Sequence, residues 1–471
     1  MGIADILNIA RSSLTANQQA LQVLSHNIAN AATEGYSRQR VDFSTNMPLV
    51  TANGVLGRGI NSDNVLRAED KFITQRLLIE KQAAGKWTAI DRALKEIELS
   101  FSDTGESDLS SVITQFFNAA EQLSLNPENR AARTNLIQRA EFMVSKFRAI
   151  SNTLVRTQMS IDNEVRTVAK NVNGIISSIA DINGAILVVE VGGNRANDLR
   201  DKRDILVSKL SDLINANVFE NDRGSVVISL GGNILVDGKT KRDLVLTQKA
   251  VGNRSKTTIS IEGSSNEVSF SGGRLSGLIK IRDDYIGTYK SALDIMAKDL
   301  SNAVNDLHFK GFDLNGNTGI NFFKTNIEFA SDMALTDDVK NDITKIAAAS
   351  GYDSNSDGTI DLSNGPGDNS VLKAIASLRN SGIDVGGVNS IFDSYGNLLG
   401  VIASDANQSK DMMETQTLLV DQITNMKESR VGVSLDEELI KMIVYQNNYA
   451  AASRMIKMVD RLMQSIMDMV G

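Results

Sequence analysis

Apolar side chains recur at the start of the chain in alternating steps of four and three, at Ile3, Leu7, Ala10, Leu14, Leu21, Leu24, Ile28 and Ala31, with Asn17 the polar residue on the seam. That spacing predicts one long helix with a narrow stripe, made to lie against other helices. A polar residue on such a seam fixes register and partner number at some cost in stability, so Asn17 reads as specificity. At the opposite end, the run from Ser434 to Val470 contains neither proline nor glycine. It opens as a capping box, Ser434 followed by Glu437, with Asp436 and Glu438 also suited to a helix N-terminus. Its stripe is Leu439, Met442, Ile443, Tyr449, Ile456, Val459, Leu462, Ile466 and Met469, with a polar and small interruption from Gln446 to Ser453. Chain ends normally fray because little packs on them. Two long, striped terminal helices therefore read as an assembly device, with Leu7, Leu14, Asn17, Leu21, Leu24, Ile28, Leu439, Ile443, Ile456, Val459, Leu462, Ile466 and Met469 as its candidate interface.

Between the ends the period changes several times. Gly35 is expected to stop the first helix, and SRQRVDFST alternates like a half-exposed strand. A glycine-punctuated loop, ANGVLGRGI, leads to helix beginning near Arg67, then through DLSSVITQFFNAAEQLSL and from Glu128 to about Asn183. Pro127 marks a break, since proline suits only a helix's first turn. After a helix from Asn194, the segments VVISLGGNILVDG, RDLVLTQ, KTTISIEG and EVSFSGG read as short strands joined by Gly and Asn turns. Helix returns from Leu275 to about Phe309. Asn326 to Ile402 is mixed, with strand-like ITKIAAAS and a helix at VLKAIASLR, and two helices, roughly Asp405 to Ser429 and Leu435 to Val470, close the chain.

The expected fold is mainly α with β-rich modules (α+β): a long helical bundle from both terminal segments, with β-containing outer domains inserted in the middle. Residues 1–45 plus 430–471 form the terminal, coiled-coil-like assembly domain. Residues 46–325 plus 403–429 form a helical rod domain with a β-hairpin module near 217–273, and 326–402 form an outer mixed module.

The chain has 471 residues, a formal charge of −8, two histidines and no cysteine. The missing cysteine excludes disulfides, thiol catalysis and the usual zinc sites. No basic stripe with interleaved aromatics suggests nucleic acid. No cleaved secretory signal is visible, and no run approaches the ~20 apolar residues that span a bilayer. Phosphate-binding glycine loops, dinucleotide fingerprints and nucleophile elbows are missing, and His26 and His308 stand far apart, so no enzyme is expected. Asp198, Asp201 and Asp204 interleave with Arg200, Lys202 and Arg203, which reads as a solvated, ion-paired helix surface. One string has metal-binding order: Asp353, Asn355, Asp357, Gly358, Thr359, Ile360 and Asp361 match the first nine positions of a calcium loop. Its twelfth position is Asn364 where a bidentate Glu would stand, so the competing reading is an acidic surface turn, and any calcium affinity is weak.

After the first helix the chain continues HNIANAATEGYSRQRV, which resembles the amino-terminal motif of the axial proteins of the bacterial flagellum. The closing VSLDEELIKMIVYQNNYAAASRMIKMVDRLMQSIMDM resembles their matching end motif. The internal strings GNRANDLRDKRDILVSKLSDL, SLGGNILVDG, GRLSGLIKIRDDYIGTYKSALDIMAKDLSNAVNDLHFKGFDLNGNTGINFF and GPGDNSVLKAIASL are similar to one branch, the hook-associated protein 1 family. That resemblance implies a structural adaptor at the hook-filament junction, polymerising through its terminal helices, required for filament assembly and so for motility. It also implies type III export with an uncleaved amino terminus, an extracellular location, and as partners a ring of its own copies, the hook protein, a second junction protein and an export chaperone. Two other readings stand beside it: a hook or distal rod subunit, and a secreted, calcium-stabilised adhesin-like surface protein. Residues from Asn326 to Gly365 carry little of the resemblance.

Overall fold

The computed structural model describes residues 3–51, 54–101, 108–221, 224–251, 254–354 and 360–470. Helix α1 (Ile3–Ala29) is followed by β1 (Gln39–Thr45), β2 (Leu49–Thr51), β3 (Gly54–Leu56) and β4 (Ile60–Arg67). Then come α2 (Lys71–Phe101), α3 (Leu109–Leu125), α4 (Arg130–Glu190) and α5 (Asn197–Leu213). The β-rich stretch holds β5 (Asn217–Glu220), β6 (Val226–Leu230), β7 (Asn233–Asp237), β8 (Thr240–Lys241), β9 (Leu244–Val251) and β10 (Arg254–Ile261). Helix resumes with α6 (Gly273–Lys280), a π-helical turn at Ile281–Tyr285 and α7 (Ile286–His308). The remainder is α8 (Asp337–Asn341), β11 (Gly351–Tyr352), β12 (Leu362–Ser363), α9 (Ser370–Ser381), α10 (Ile391–Val431) and α11 (Leu435–Val470). The fold is thus α+β, mainly helical, with its strands inserted between the terminal helices.

Helix α4 shows how sequence makes these rods. Its residues Leu136, Ala140, Met143, Phe147, Ile150, Leu154, Ile161, Val165, Val168, Val172, Ile176 and Ile179 are all buried. They fall at steps of three and four, with Thr157 filling the one polar place, so a helix of 61 residues keeps one face covered along most of its length. Asn129 starts it by accepting the N–H groups of Ala131 and Ala132 on its side-chain oxygen. By composition α4 is apolar enough to cross a membrane, with 39% of its most apolar window buried.

The chain divides into two compact units. The first comprises Met1–Lys86, Thr167–Ser276 and Glu414–Gly471; the second comprises Trp87–Arg166 and Gly277–Met413. In the first, β5, β6, β7 and β8 form an antiparallel meander, and β9–β10, β1–β4 and β2–β3 form hairpins. Val226, Ile228, Leu230, Leu235 and Val236 are its buried face, and Ile73, Leu77 and Ile423 make a smaller cluster with Val420. In the second, Phe116, Phe117, Phe322 and Phe323 pack with ring centroids 4.9–6.0 Å apart. Beside them His308 is fully buried, its Nδ1 donating to the Ile320 carbonyl (2.7 Å) and its Nε2 accepting from the Ala347 N–H (2.9 Å).

Several boundaries differ from expectation. Helix α1 ends at Ala29, leaving Ala31 in a turn: the Asn30 N–H makes the last bond of the ladder, to the His26 carbonyl, and the Ala31 N–H turns to the Ile28 carbonyl three residues back. Gly35 instead supplies a left-handed turn with φ of 74°, where a Cβ would also collide with Ile205. Within ANGVLGRGI, Gly54–Leu56 is a strand paired with Leu49–Thr51, and α2 starts at Lys71 because Asp70 accepts the Ile73 N–H. Helix α4 runs past Asn183: Gly184 is not a stop but a close approach, with space for a Cβ taken by Lys239. ITKIAAAS is a 3₁₀ turn at Ile343–Lys345, since Asp342 caps Thr344, followed by a single bridge from Ala349 to Phe312. EVSFSGG holds only the bridge from Glu267 to Ser260. Helix α10 begins at Ile391, well before Asp405, capped by the Ser390 hydroxyl on the Asp393 N–H.

Candidate functional site: the paired termini

Helices α1 and α11 pack on each other within one chain. The end of α1 meets the start of α11, so the pair is antiparallel. The covered face of α1 is made chiefly of small residues, Ala10, Ala16 and Ala20, together with Asn17, Leu24 and Asn27. On α11 the covered residues are Glu438, Ala452 and Val459. Ala452 lies inside the stretch that interrupts the apolar stripe.

The expected interface residues are therefore divided. Leu24 and Asn17 are buried, and Leu7, Leu14, Leu21 and Ile28 are partly covered. The Asn17 amide turns back on its own helix and donates to the Ser13 carbonyl at 2.7 Å. On α11, Val459 is buried and Ile456 partly so, whereas Leu439, Ile443, Leu462 and Ile466 are about half exposed and Met469 is 83% exposed. Ile440, Val444, Met455, Met458, Met463 and Met467 widen this outward strip. So α11 spends a narrow face on α1 and keeps a broad apolar face uncovered.

What fixes the pair is a polar hub, Asn27, which is fully buried. Its Oδ1 accepts from the Tyr36 hydroxyl (2.7 Å) and the Gln39 N–H (3.0 Å). Its Nδ2 donates to the Gln39 carbonyl (2.8 Å) and to Oε2 of Glu438 (2.7 Å). Two acceptor and two donor positions are thus all used, which only an amide of this length can do here. Because Tyr36 gives its proton to Asn27, the 2.9 Å contact from His26 Nδ1 has the imidazole as donor. Glu438 is buried and also meets Lys441 at 3.4 Å. Glu437, expected to fold back on Ser434 as a capping box, is bound instead by Arg38 at 3.0 Å.

Helix α5 clamps the same segment from the other side. Asp201 accepts the Ser37 N–H (3.0 Å), Asp198 accepts from Gln39 (2.8 Å), and Arg67 bridges Asp201 (3.0 Å) and Asp204 (2.7 Å). Arg200 binds Glu190 and Glu220, and Arg203 donates to the Gly224 carbonyl. The solvated surface expected for Asp198 to Asp204 is corrected here: Arg200, Asp201 and Arg203 are buried. Helix periodicity is silent on charge burial, because an ion-paired strip looks the same whether water or a strand faces it. Burial pushes the Asp201 carboxyl up, against the pull of Ser37 and Arg67, and burial with the nearby Asp198, Asp201 and Glu438 charges pushes the Tyr36 phenol up, keeping it a donor. Sequence reasoning did not pick out Asn27, Tyr36 or Gln39 individually, and read Asp201 and Glu438 as surface and helix-start carboxylates; the signal for the first three was the polar insert HNIANAATEGYSRQ directly after an apolar helix.

The calcium-like string is only partly in view. Asn355, Asp357, Gly358 and Thr359 lie outside the described residues. Asp361 turns both oxygens onto Ser354, accepting its N–H (2.8 Å) and its hydroxyl (2.7 Å), which holds its pKa below the usual carboxylate range. Asn364 donates to the Ser350 hydroxyl, and Asp353 stands at the other end of the turn.

Comparison with known proteins agrees with this geometry along the chain. The family model described as flagellar hook-associated protein FlgK helical domain matches residues 94–323. The model for the flagellar basal body rod FlgEFG protein C-terminal matches 429–469, and the flagella basal body rod protein model matches 7–36. Flagellar hook-associated protein 1 of Bacillus subtilis is 29% identical over 504 residues, spanning 99% of this chain and 98% of that one. The protein of the same name from Salmonella typhimurium is 25% identical over 554 residues, spanning 99% and 100%. The solved structure of the flagellar hook junction protein FlgK from Burkholderia pseudomallei has the same fold, with a TM-score of 0.65 at 16% identity, over 76% of this chain and all of that one.

Proposed function

This chain belongs to the flagellar hook-associated protein 1 family, and we propose from that premise that its paired terminal helices polymerise it into a ring between hook and filament. It is a structural component of the bacterial flagellum, the adaptor at the hook-filament junction. The observation that carries the assembly reading is the division of α11: its narrow face is locked to α1 by Asn27, and its broad apolar face, from Leu439 to Met469, is left uncovered. Exposed apolar surface of that extent is costly in water and stable only when neighbours cover it. The neighbours are further copies of the chain, with the hook protein below, a second junction protein above, and an export chaperone before assembly. The route outward is the flagellar export apparatus, for which a chain without cysteine suits passage unfolded.

A structural role fits a site made of packing, hydrogen bonds and ion pairs that join the two ends of the chain. Immunogold labelling of a tagged protein on intact flagella, combined with deletion of its gene, tests the reading. A single labelled band where hook meets filament, and deletion cells that shed flagellin into the medium, are expected. Label along the whole hook would assign the chain to the hook or rod instead.

A further inference from the structure

Beside the hub, a cleft of about 550 Å³ is lined by Arg38, Arg40, Arg67, Arg195, Arg200 and Arg430, with only Glu69 and Asp70 as acidic side chains in its wall. Four of the six guanidiniums are paired within the chain: Arg38 with Glu437, Arg67 with Asp201 and Asp204, Arg200 with Glu190 and Glu220, and Arg430 with Asp70. Arg40 and Arg195 are exposed and have no ion pair among the described residues. Arg195 does feel Glu190, but that carboxylate's oxygens are already taken by Arg200 and the Ala196 N–H. The cleft therefore presents two uncompensated guanidiniums held in place by a rigid, ion-paired wall.

Opposite charge lies on α10 of the same chain. Glu414, Leu418, Asp421, Asn425 and Glu428 follow steps of four and three, and all are exposed. They make one stripe about 21 Å long by helical rise, and none of its three carboxylates has an ion pair among the described residues. The stripe cannot fold back into its own cleft, because α10 is one continuous helix whose last turn, with Arg430 and Val431, already forms part of the cleft wall.

We propose that the arginine cleft of one copy receives the acidic stripe of α10 from the next, with Arg40 and Arg195 taking two of its carboxylates. A surface that binds a different surface of an identical copy gives a head-to-tail contact, which is the kind that closes into a ring. The inference rests on the ring reading above and adds a contact outside the terminal helices.

The test is a charge swap in cells carrying the full-length protein. Arg40→Glu with Arg195→Glu, and separately Asp421→Lys with Glu428→Lys, each place like charges together and are expected to lower the fraction of cells with attached filaments roughly tenfold. The chain carrying all four substitutions is expected to recover. Each purified variant should melt with the parent, because none of these side chains has an ion pair among the described residues. Variants that keep normal filaments, or a fourfold variant no better than its parents, overturn the contact while a tagged parent still marks the junction. A tagged parent missing from the junction overturns the ring reading and the contact together.

Discussion

Replacing Asn27 with Asp changes no heavy-atom position, only two hydrogens and a charge, and so isolates the hub's chemistry. The substitution removes the donor bonds to the Gln39 carbonyl and to Glu438, at 2.8 and 2.7 Å. A neutral bond of this kind contributes about 1 kcal/mol and one to a carboxylate about 1.5–3 kcal/mol. The new carboxylate then faces a buried Glu438, so the site must either hold two like charges or bind a proton, and the total cost is on the order of 3–5 kcal/mol. For a domain of this size each kcal/mol moves the midpoint by about 2–4 °C, which places the loss near ~10 °C. Calorimetry of Asn27→Asp should show that fall, and amide exchange should locate it in α1 and the first turns of α11. Since the introduced carboxylate and Glu438 raise each other's folded-state pKa values, the variant should regain stability relative to the parent as pH falls toward ~5. Adding Glu438→Gln, which supplies an amide donor opposite the introduced carboxylate, should restore part of the loss. A midpoint within about 2 °C of the parent at neutral pH, less than one kcal/mol would produce, would show that Asn27 does not join the termini.

The other expectations concern separate regions. His308 is depressed to about 4, first by burial and then by Arg133. A base depressed in the folded state contributes stability that is complete above its unfolded pKa of about 6.5 and is lost as pH falls toward ~4, a change on the order of 3 kcal/mol; pH-dependent melting of His308→Gln should lose that slope, and an unchanged slope would refute the assignment. Deleting Leu462 to Gly471 removes side chains that are mostly exposed, so the truncated chain should melt like the parent but leave cells shedding flagellin; attached filaments on that truncation would mean the outer face of α11 is not an assembly surface. Millimolar calcium should leave the melting curve unmoved, because Asp361 is committed to Ser354; a rise that Asp361→Asn abolishes would establish a calcium loop there.

How far the sequence could be read depended on which interactions leave a period. The long helices were legible because a covered stripe must recur at three and four, as along α4 from Leu136 to Ile179. Boundaries set by one side chain were less so. Asp70 starts α2 and Ser390 starts α10, and each acts through a bond that no window average registers. The apolar stripes at both termini and their joining in one helical bundle were visible, but not the residues that lock the pair, because these are contacts 411 residues apart such as Asn27 to Glu438. The buried arginines of α5 were hidden for a related reason. Arg200 and Arg203 look like surface until Glu190, Glu220 and the Gly224 carbonyl, far along the chain or past a turn, are brought to them.

The contrast between the two faces of α11 explains why a polar hub is needed at all. Three of the six residues that α1 buries are Ala10, Ala16 and Ala20, whose burial contributes little apolar area and constrains sliding weakly, since one alanine fits where another did. A shift of one turn along such a face would cost little in packing. It would, however, break the bond from the Asn27 amide to the buried Glu438 carboxylate, a penalty of about 1.5–3 kcal/mol for a hydrogen bond to a charged group. The hub therefore sets the register that the alanines leave loose. Register in turn decides where along α1 the outward apolar residues of α11 stand, so the position of that uncovered face is set by a hydrogen-bonded asparagine that does not itself belong to it.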